Sequence, residues 1–125
     1  MREFESGATR DDADNKADYF GFESSLARKR FGQFMLAHQI QADGKRRASD
    51  NWKKGLPPHE SVRSLTRHVE DVKLWFEDHG EEMTNKPLEG LDRLEDALCS
   101  CWFNVQSMLL ETIKERKRIE WQREL

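Results

Sequence analysis

Apolar residues recur three and four positions apart in three stretches of this chain, and each stretch predicts a helix. The first runs over about residues 25–39, with Ser24 or Ser25 as its N-cap. The second starts after Pro57-Pro58 and ends at Gly80, and the third runs from about residue 91 to beyond 115. We found neither an internal repeat nor strand-like alternation, so the sequence predicts an all-α protein.

The second predicted helix has two faces. Its apolar seam has the spacing of a helix bundle and comprises Val62, Leu65, Val69, Val72 and Phe76. His68, Asp71 and Trp75 form a second stripe about 100° from the centre of that seam. We therefore expect these three residues to flank the core rather than fill it.

The third predicted helix is apolar on two sides. Its main stripe comprises Leu91, Leu94, Leu98, Trp102, Val105, Leu109 and Ile113, and a second strip comprises Cys99, Phe103 and Leu110. A helix of this kind needs two packing partners. Only 36% of the residues are hydrophobic, and with 7 glycines the apolar share is roughly 42%, against a usual 45–50%. Both observations favour a bundle completed by oligomerisation, as a homodimer or homotetramer.

The remaining segments are polar. At 125 residues the chain is long enough for a single domain, 1–125. Residues 1–21 are predicted to be an irregular arm, and 114–125 a charged helical tail. Residues 40–58 form a long loop with five basic residues and Trp52. A loop of that length in a small domain is usually functional or mobile, so we interpret 40–58 as a basic substrate loop.

Charge and hydropathy exclude some classes of protein. A net charge of −3 and a pI of about 5.8 argue against a nucleic-acid binder. The N-terminus lacks the apolar core of a signal peptide, and no stretch approaches 18 apolar residues, so we expect a soluble, cytoplasmic protein that does not bind membranes. Cys99 and Cys101 point roughly 200° apart on a helix, which favours reduced thiols over a disulfide or a zinc site.

Two polar clusters interrupt the helical stretches, Arg67-His68-x-x-Asp71 and Asp92-x-x-Glu95-Asp96. Buried charges without partners cost several kcal/mol, and a divalent metal is the simplest way to neutralise them. If the second and third helices are antiparallel neighbours, their acidic side chains can converge, as in metal-binding bundles. Hard oxygen and nitrogen ligands of this kind suit Mg²⁺ or Mn²⁺ together with phosphate oxygens.

A nucleotide substrate would also need cations for its phosphates and an aromatic side chain for its base. Arg10, Lys16, Lys53, Lys54 and Arg67 are candidates for the first role, and Trp52 or Trp75 for the second. The alternatives are simpler. His68 and Asp71 can be an exposed i,i+3 pair, and Asp92, Glu95 and Asp96 can favour the positive end of a helix dipole. Asn104 is poorly explained by helix propensity, which favours a hydrogen-bonding role.

Five motifs, in order, resemble a phage-associated family of dATP/dGTP diphosphohydrolases (MazZ-like). They are Gly7-Ala8-Thr9-Arg10-Asp11, Lys16-x-Asp18-Tyr19, Asp50-Asn51-Trp52-x-x-Gly55, Ser64-Leu65-x-Arg67-His68-x-x-Asp71, and Leu94-Glu95-Asp96-Ala97-Leu98-Cys99 followed by Phe103-Asn104. The resemblance spans roughly residues 7–110. The family looks like a divergent branch of the all-α MazG-like nucleotide pyrophosphohydrolases, so the resemblance implies a MazG-like helical bundle.

The resemblance also implies an activity. It implies hydrolysis of dGTP or dATP between the α and β phosphates, in the metabolism of phages that carry 2-aminoadenine DNA. His68, Asp71, Glu95 and Asp96 would be the catalytic residues and would hold Mg²⁺ or Mn²⁺. The substrate would be contacted by Arg10, Lys16, Asn51, Trp52, Lys54, Arg67 and Asn104. The chain departs from the MazG pattern, because His68 and Asp71 replace glutamates and Glu95-Asp96 replaces Glu-x-x-Asp.

Two other hypotheses remain open from the sequence. One is a non-catalytic helical interaction protein whose carboxylates are solvated surface and helix caps. The other is a phosphohydrolase that cuts a different bond and releases triphosphate. The choice between adenine and guanine, the exclusion of ribose, the number of metals and the choice between dimer and tetramer are also left open.

Overall fold

Three long helices dominate the computed structural model, which describes residues 1–12 and 15–125. The elements in chain order are strands β1 (Arg2–Glu3) and β2 (Thr9–Arg10), and helices α1 (Tyr19–Phe22), α2 (Ser25–Ala37), α3 (Pro58–His79) and α4 (Leu88–Arg123). A 3₁₀ turn, Asn51–Lys54, lies between α2 and α3. The fold class is therefore all-α, as the apolar periodicity predicts.

The start of α2 and both limits of α3 lie where the sequence predicts them. Ser24 caps α2, with its Oγ accepting a hydrogen bond from the Ala27 N–H at 3.1 Å. A proline stands at the first position of α3, and Gly80 ends that helix with a φ of +85°, which glycine adopts without strain. Helix α4 starts at Leu88, directly after Pro87, and runs through Arg123. It is thus three residues longer at its start than the sequence predicts.

Helices α3 and α4 form an antiparallel pair that is closed at one end by a buried tryptophan. Trp75 is 5% exposed, and its Nε1 donates a hydrogen bond to the Gly90 carbonyl at 2.7 Å. His79 stacks on Trp75 with ring centroids 4.4 Å apart. A Cβ on Gly90 would lie 3.4 Å from His79 Nε2, so a glycine here allows the helices to approach closely.

Small polar residues line the rest of the contact between α3 and α4. Ser61 and Ser107 are buried, and Asn104 on α4 donates to Ser64 Oγ on α3 at 3.2 Å. Small side chains let the two helix backbones approach, and the polar groups at their centre find partners. Close approach and hydrogen bonding therefore stabilise this contact alongside the burial of Trp75.

The apolar seam that the sequence predicts for α3 is not the most buried side of that helix, since Leu65, Val72 and Phe76 are only half-buried. Val62 and Val69, both in that seam, are 49% exposed. Trp75 was predicted to flank the core, and that prediction is wrong, because Trp75 is one of its most buried residues. The pairing with α4 is centred near Ser61, Ser64 and Trp75, so the helix is rotated relative to the prediction. His68 and Asp71 do flank the core, as predicted.

Helix α2 lies across the α3–α4 pair and covers one side of it. Phe31 stacks on Trp102 of α4 with ring centroids 4.8 Å apart, and Phe34 is buried. Leu26, at the start of this helix, is largely exposed. The buried core therefore lies between the second half of α2 and the middle of the α3–α4 pair.

The predicted arm and loop contain short ordered elements. In the arm, β1 and β2 pair across a turn at Gly7, whose φ is +88°. Residues 13 and 14 of the predicted arm lie outside the described residues. In the loop, Ile40 pairs with Arg46 in an isolated bridge before the 3₁₀ turn begins. Within residues 1–12 and 15–125, the structure contains no helix whose length and apolar character would let it cross a membrane.

Candidate functional site

Two adjoining cavities lie where α2 crosses the α3–α4 pair. The larger has a volume of about 520 Å³ and the smaller about 460 Å³. Phe34, His38, His68 and Ser100 line both cavities. The two cavities are therefore the two ends of one cleft, and His68 stands at their boundary.

The larger cavity is mainly apolar and contains the residues predicted to contact a sugar or a base. Asn51 and Trp52 reach it from the 3₁₀ turn, and Asn104 reaches it from α4. Trp52 lies edge-on to Phe103, with ring centroids 6.1 Å apart. A mostly apolar cavity with a few fixed polar groups is the usual form of a small-molecule site. Asn51 and Trp52, which are neighbours in the chain, thus meet the distant Asn104 at one end of the cleft.

Asn104 is held rigidly at the wall of this cavity. Its side-chain amide donates to Ser64 Oγ at 3.2 Å and to the Ser100 carbonyl at 2.8 Å. Because both amide hydrogens are used, the group that Asn104 can offer to a ligand is its Oδ1 acceptor. This acceptor would recognise an N–H or O–H donor.

His38 connects α2 to the basic loop at the same cavity. Its Nδ1 lies 2.8 Å from the Phe34 carbonyl, which can only accept a hydrogen bond, so Nδ1 carries a proton. Arg47 Nη2 in turn donates to the His38 carbonyl at 3.2 Å. Arg47 lines the larger cavity and is the basic residue of the 40–58 loop that the structure places there.

The smaller cavity carries the ionisable side chains of the cleft. Asp71, Asp78 and Asp96 line it together with His68 and His79, and Arg93 is its cation. His68 Nδ1 lies 3.3 Å from Asp71 Oδ2 on the same helix. The structure therefore brings three of the four predicted catalytic residues, His68, Asp71 and Asp96, to one cavity.

The fourth predicted residue, Glu95, is engaged by Arg30 of α2. Arg30 Nε lies 2.5 Å from Glu95 Oε1, and Nη2 lies 2.7 Å from Asp96 Oδ1. The hydrogen bond to Asp96, followed by the one to Glu95, raises the pKa of Arg30 above its ordinary value. This guanidinium balances one of the two carboxylate charges and connects α2 to α4.

The donor types suit a divalent metal, but this conformation does not gather them around one point. Carboxylate and imidazole groups are suitable ligands for Mg²⁺ or Mn²⁺. Across residues 1–12 and 15–125, however, no three side chains of His, Cys, Asp or Glu are placed to hold one ion. His68 and Asp71 form one pair, and Glu95 and Asp96 form another that is bound by Arg30.

The predicted phosphate-binding residues lie outside the cleft in the described part of the chain. Arg10 belongs to β2, Lys53 and Lys54 end the 3₁₀ turn, and Lys16 and Arg67 are exposed. These five residues line neither cavity, whereas Arg47 and Arg93 do. The predicted roles of the five basic residues remain predictions.

Sequence reasoning missed Arg30, although the sequence contained a signal for it. Arg30 stands four residues from both Leu26 and Phe34, so a charged residue interrupts the apolar stripe of α2. A charge in such a stripe calls for a partner of opposite sign on the neighbouring helix. Arg47 carried no comparable signal, because it is one of several basic residues in a loop.

The two cysteines are free and lie on different sides of α4. Cys99 is buried and Cys101 is partly buried. Burial raises the pKa of the Cys99 thiol, and burial followed by the charge of Asp71 raises that of Cys101. Both thiols are therefore protonated near neutral pH and are poor nucleophiles.

Comparisons of this chain with protein-family models, with curated proteins and with solved structures find no match. The case for a function therefore depends on the cleft and on the residues that line it.

Proposed function

We propose that this protein is a metal-dependent dNTP pyrophosphohydrolase that converts dGTP, dATP or both to the monophosphate and pyrophosphate. The observation that carries the proposal is the arrangement of the cleft. A mostly apolar end holds Asn51, Trp52 and Asn104, and an acidic end holds Asp71 and Asp96. A nucleotide has the same division, with a flat apolar base at one end and anionic phosphates that bind metal at the other.

The larger cavity would take the base and the sugar. Trp52 offers an aromatic face or edge to a base, and Asn104 Oδ1 would accept a hydrogen bond from a base N–H or a sugar hydroxyl. Arg47, which is attached to the end of α2, would add a positive charge at this end of the cleft. These contacts would orient the substrate so that its phosphates reach the smaller cavity.

The acidic end would carry the reaction. Water adds to the α or the β phosphorus and the P–O bond from that phosphorus to the α–β bridging oxygen breaks. The leaving group is pyrophosphate in the first case and the deoxynucleoside monophosphate in the second, and both cases give the same two products. His68 and Asp71 would orient the attacking water and accept its proton. A Mg²⁺ or Mn²⁺ ion at Glu95 and Asp96, when bound, would neutralise phosphate charge. Arg93 would stabilise the negative charge that develops on the leaving group.

Product analysis tests the proposal directly. The protein is incubated with each dNTP and Mn²⁺, and the products are separated by anion-exchange chromatography. We expect a deoxynucleoside monophosphate and pyrophosphate from the wild type, and none from Glu95→Gln or Asp96→Asn. Glu120→Gln, an equivalent change in the exposed end of α4, is the matched control and should retain activity. Equal turnover in the wild type, in Asp96→Asn and in excess chelator would refute the proposal.

A non-catalytic helical interaction protein is the competing hypothesis, and the Arg30 ion pairs favour it. If the carboxylates only hold α2 to α4, they need no metal. Thermal melts separate the two hypotheses, since a metal that binds the folded state raises the melting temperature. A midpoint that does not change between chelator and 1,000 µM Mn²⁺, roughly a thousandfold over a micromolar site, would favour the non-catalytic protein.

A further inference from the structure

His38 stands at the junction of the two cavities of the cleft. It is one of the residues that line both cavities, together with Phe34, His68 and Ser100. Under the function proposed above, the larger cavity takes the base and the smaller one takes the phosphates. In a nucleotide the sugar lies between these two parts. A side chain at the junction is therefore placed at the level of the sugar.

The imidazole of His38 is held in one orientation. Its Nδ1 donates to the Phe34 carbonyl at 2.8 Å, and its ring packs on the Phe34 ring with centroids 4.1 Å apart. Its backbone is fixed by the basic loop, because Arg47 Nη2 donates to the His38 carbonyl at 3.2 Å and the Arg47 N–H donates to the Gln39 carbonyl at 2.8 Å. A side chain fixed in this way loses little further freedom when it binds a ligand.

Nε2 is the group that His38 offers to a ligand. A neutral imidazole carries one proton, and Nδ1 holds it, so Nε2 is a hydrogen-bond acceptor. Within residues 1–12 and 15–125, no protein group forms a hydrogen bond with this nitrogen. Nδ1 and Nε2 lie on different edges of the ring, so Nε2 points away from the Phe34 carbonyl. The ring thus brings an acceptor without a protein partner to the junction.

The other polar residues at the junction are already engaged. His68 Nδ1 lies 3.3 Å from Asp71 Oδ2, which directs this histidine to the acidic end of the cleft. Ser100 Oγ donates its hydrogen to the Asp96 carbonyl at 2.9 Å. The Ser100 oxygen can still accept a hydrogen bond, but an imidazole nitrogen is the stronger acceptor. Of the side chains at the junction, His38 is therefore the best placed to bind a donor on the sugar.

The sugar of a 2′-deoxynucleotide offers one partner for such an acceptor. Its ring oxygen and its 5′ oxygen carry no hydrogen, so the 3′-hydroxyl is its hydrogen-bond donor. We infer that His38 Nε2 accepts a hydrogen bond from the 3′-hydroxyl of the substrate, and that this contact selects nucleotides in which the hydroxyl is free. The inference rests on the proposed function for the direction in which the nucleotide lies in the cleft.

The same contact separates two kinds of triphosphate. A free nucleotide carries a hydrogen on its 3′ oxygen, whereas the 5′-triphosphate end of a nucleic-acid chain has a phosphodiester there. Binding a chain end would leave Nε2 desolvated and without a partner, which disfavours the complex. The substrate class is therefore free mononucleotides.

The test compares the binding of dGTP with that of 2′,3′-dideoxy-GTP, which lacks the 3′-hydroxyl. Isothermal titration in excess chelator gives both Kd values without turnover. The wild type should bind dGTP about 2- to 10-fold more tightly, the ratio that corresponds to one hydrogen bond. His38→Phe, which keeps a ring against Phe34 but has no ring nitrogen, should bind the two nucleotides equally. His38→Gln, whose Oε1 can take the place of Nε2, should retain part of the preference.

Ser100→Ala is the matched control, because it removes the other acceptor at the junction and leaves His38 in place. It should keep the ratio of the wild type. Three results would overturn the inference: equal Kd values in the wild type, an unchanged ratio in His38→Phe, or loss of the preference in Ser100→Ala. If His38→Phe does not fold, the ¹⁵N resonance of His38 Nε2 in the wild type decides. It should move more at saturation with dGTP than with the dideoxy analogue, and equal movement would also overturn the inference.

A failure of this inference is distinguishable from a failure of the proposed function. If dGTP binds more tightly than its dideoxy analogue but releases no pyrophosphate, the protein recognises the 3′-hydroxyl without being a hydrolase. If both nucleotides are hydrolysed and bind equally, the protein is a hydrolase and His38 does not contact the sugar. If neither nucleotide binds, in chelator or in Mn²⁺, both proposals are refuted.

Discussion

Arg30 and Asp96 are joined by a hydrogen bond of 2.7 Å between the guanidinium Nη2 and the carboxylate Oδ1. The same guanidinium also contacts Glu95, so one cation serves two adjacent acids on α4. The side chain of Arg30 is 28% exposed, whereas the carboxylates are about half exposed. Two of the predicted metal ligands thus already have a counter-ion, and any divalent cation that binds them must compete with it.

Replacing Arg30 with Gln should lower the free energy of unfolding by about 0.5–1 kcal/mol in the absence of metal, as expected for a partly exposed ion pair. Glu95 and Asp96 would then repel each other, and α2 would lose its polar connection to α4. Urea denaturation followed by circular dichroism measures the change. Arg28→Gln, which removes an exposed ion pair with Glu23 from the same helix, should cost less.

The same variant tests the competition with metal. If Glu95 and Asp96 bind Mn²⁺, Arg30→Gln should bind it severalfold more tightly than the wild type, because the resident cation is gone. Free Mn²⁺ is measured by electron paramagnetic resonance during a titration. Weaker binding in Arg30→Gln, alongside measurable binding in the wild type, would mean that Arg30 supports the metal site and does not compete for it.

Asn104→Ala should destabilise the fold by about 1–3 kcal/mol, because it leaves Ser64 without its hydrogen-bond donor and opens a space between the helices. Under the proposed function, the variant should also bind dGTP more weakly. Urea denaturation and an isothermal titration with dGTP in the presence of chelator measure the two effects. Gln106→Ala, two residues along on the exposed side, should change neither.

Trp75→Phe should lower the free energy of unfolding by about 1–2 kcal/mol, since it removes a buried hydrogen bond to the Gly90 carbonyl and part of the stack with His79. Chemical denaturation of wild type and variant gives the difference. Trp121→Phe is the matched control, because Trp121 is largely exposed near the end of α4. An equal loss in both variants would contradict the structural role of Trp75.

The raised thiol pKa values predict a loss of stability at high pH. Burial raises the pKa of Cys99 above its ordinary value near 9, so the folded state holds this proton more tightly than the unfolded state does. The protonated Cys99 thiol therefore contributes to stability below its pKa in the unfolded state, and this contribution is lost as pH rises through its pKa in the folded state. The free energy of unfolding should therefore fall less between pH 8 and 10 in Cys99→Ala than in the wild type, as measured by urea denaturation. If the free energy of unfolding fell more steeply in Cys99→Ala than in the wild type, a raised pKa of Cys99 in the folded state would be contradicted.

The sequence by itself determined the class of fold, the limits of α3 and the start of α2. Pro57-Pro58, Gly80 and Pro87 set the limits of α3 and the start of α4, because proline and glycine act on the backbone at the positions they occupy. The same local reasoning predicted Ser24 or Ser25 as the cap of α2, and the cap is Ser24. Features of this kind depend on neighbours in the chain, which a sequence shows completely.

Only the tertiary structure decided which side of each helix is buried and which side chains meet. Apolar periodicity predicted a seam through Val69, but α3 turns Trp75 and Ser64 towards α4 instead. When two sides of a helix have similar apolar content, the side that is buried depends on which one packs better against the neighbouring helices. Likewise, the resemblance to a known family predicted that Asn51, Trp52 and Asn104 contact the same substrate, but the sequence could not show that they line one cavity. Arg30 contacts Glu95 and Asp96 because of the way α2 packs against α4. Arg30 and Glu95 are 65 residues apart in the chain, so no local sequence pattern predicts their contact.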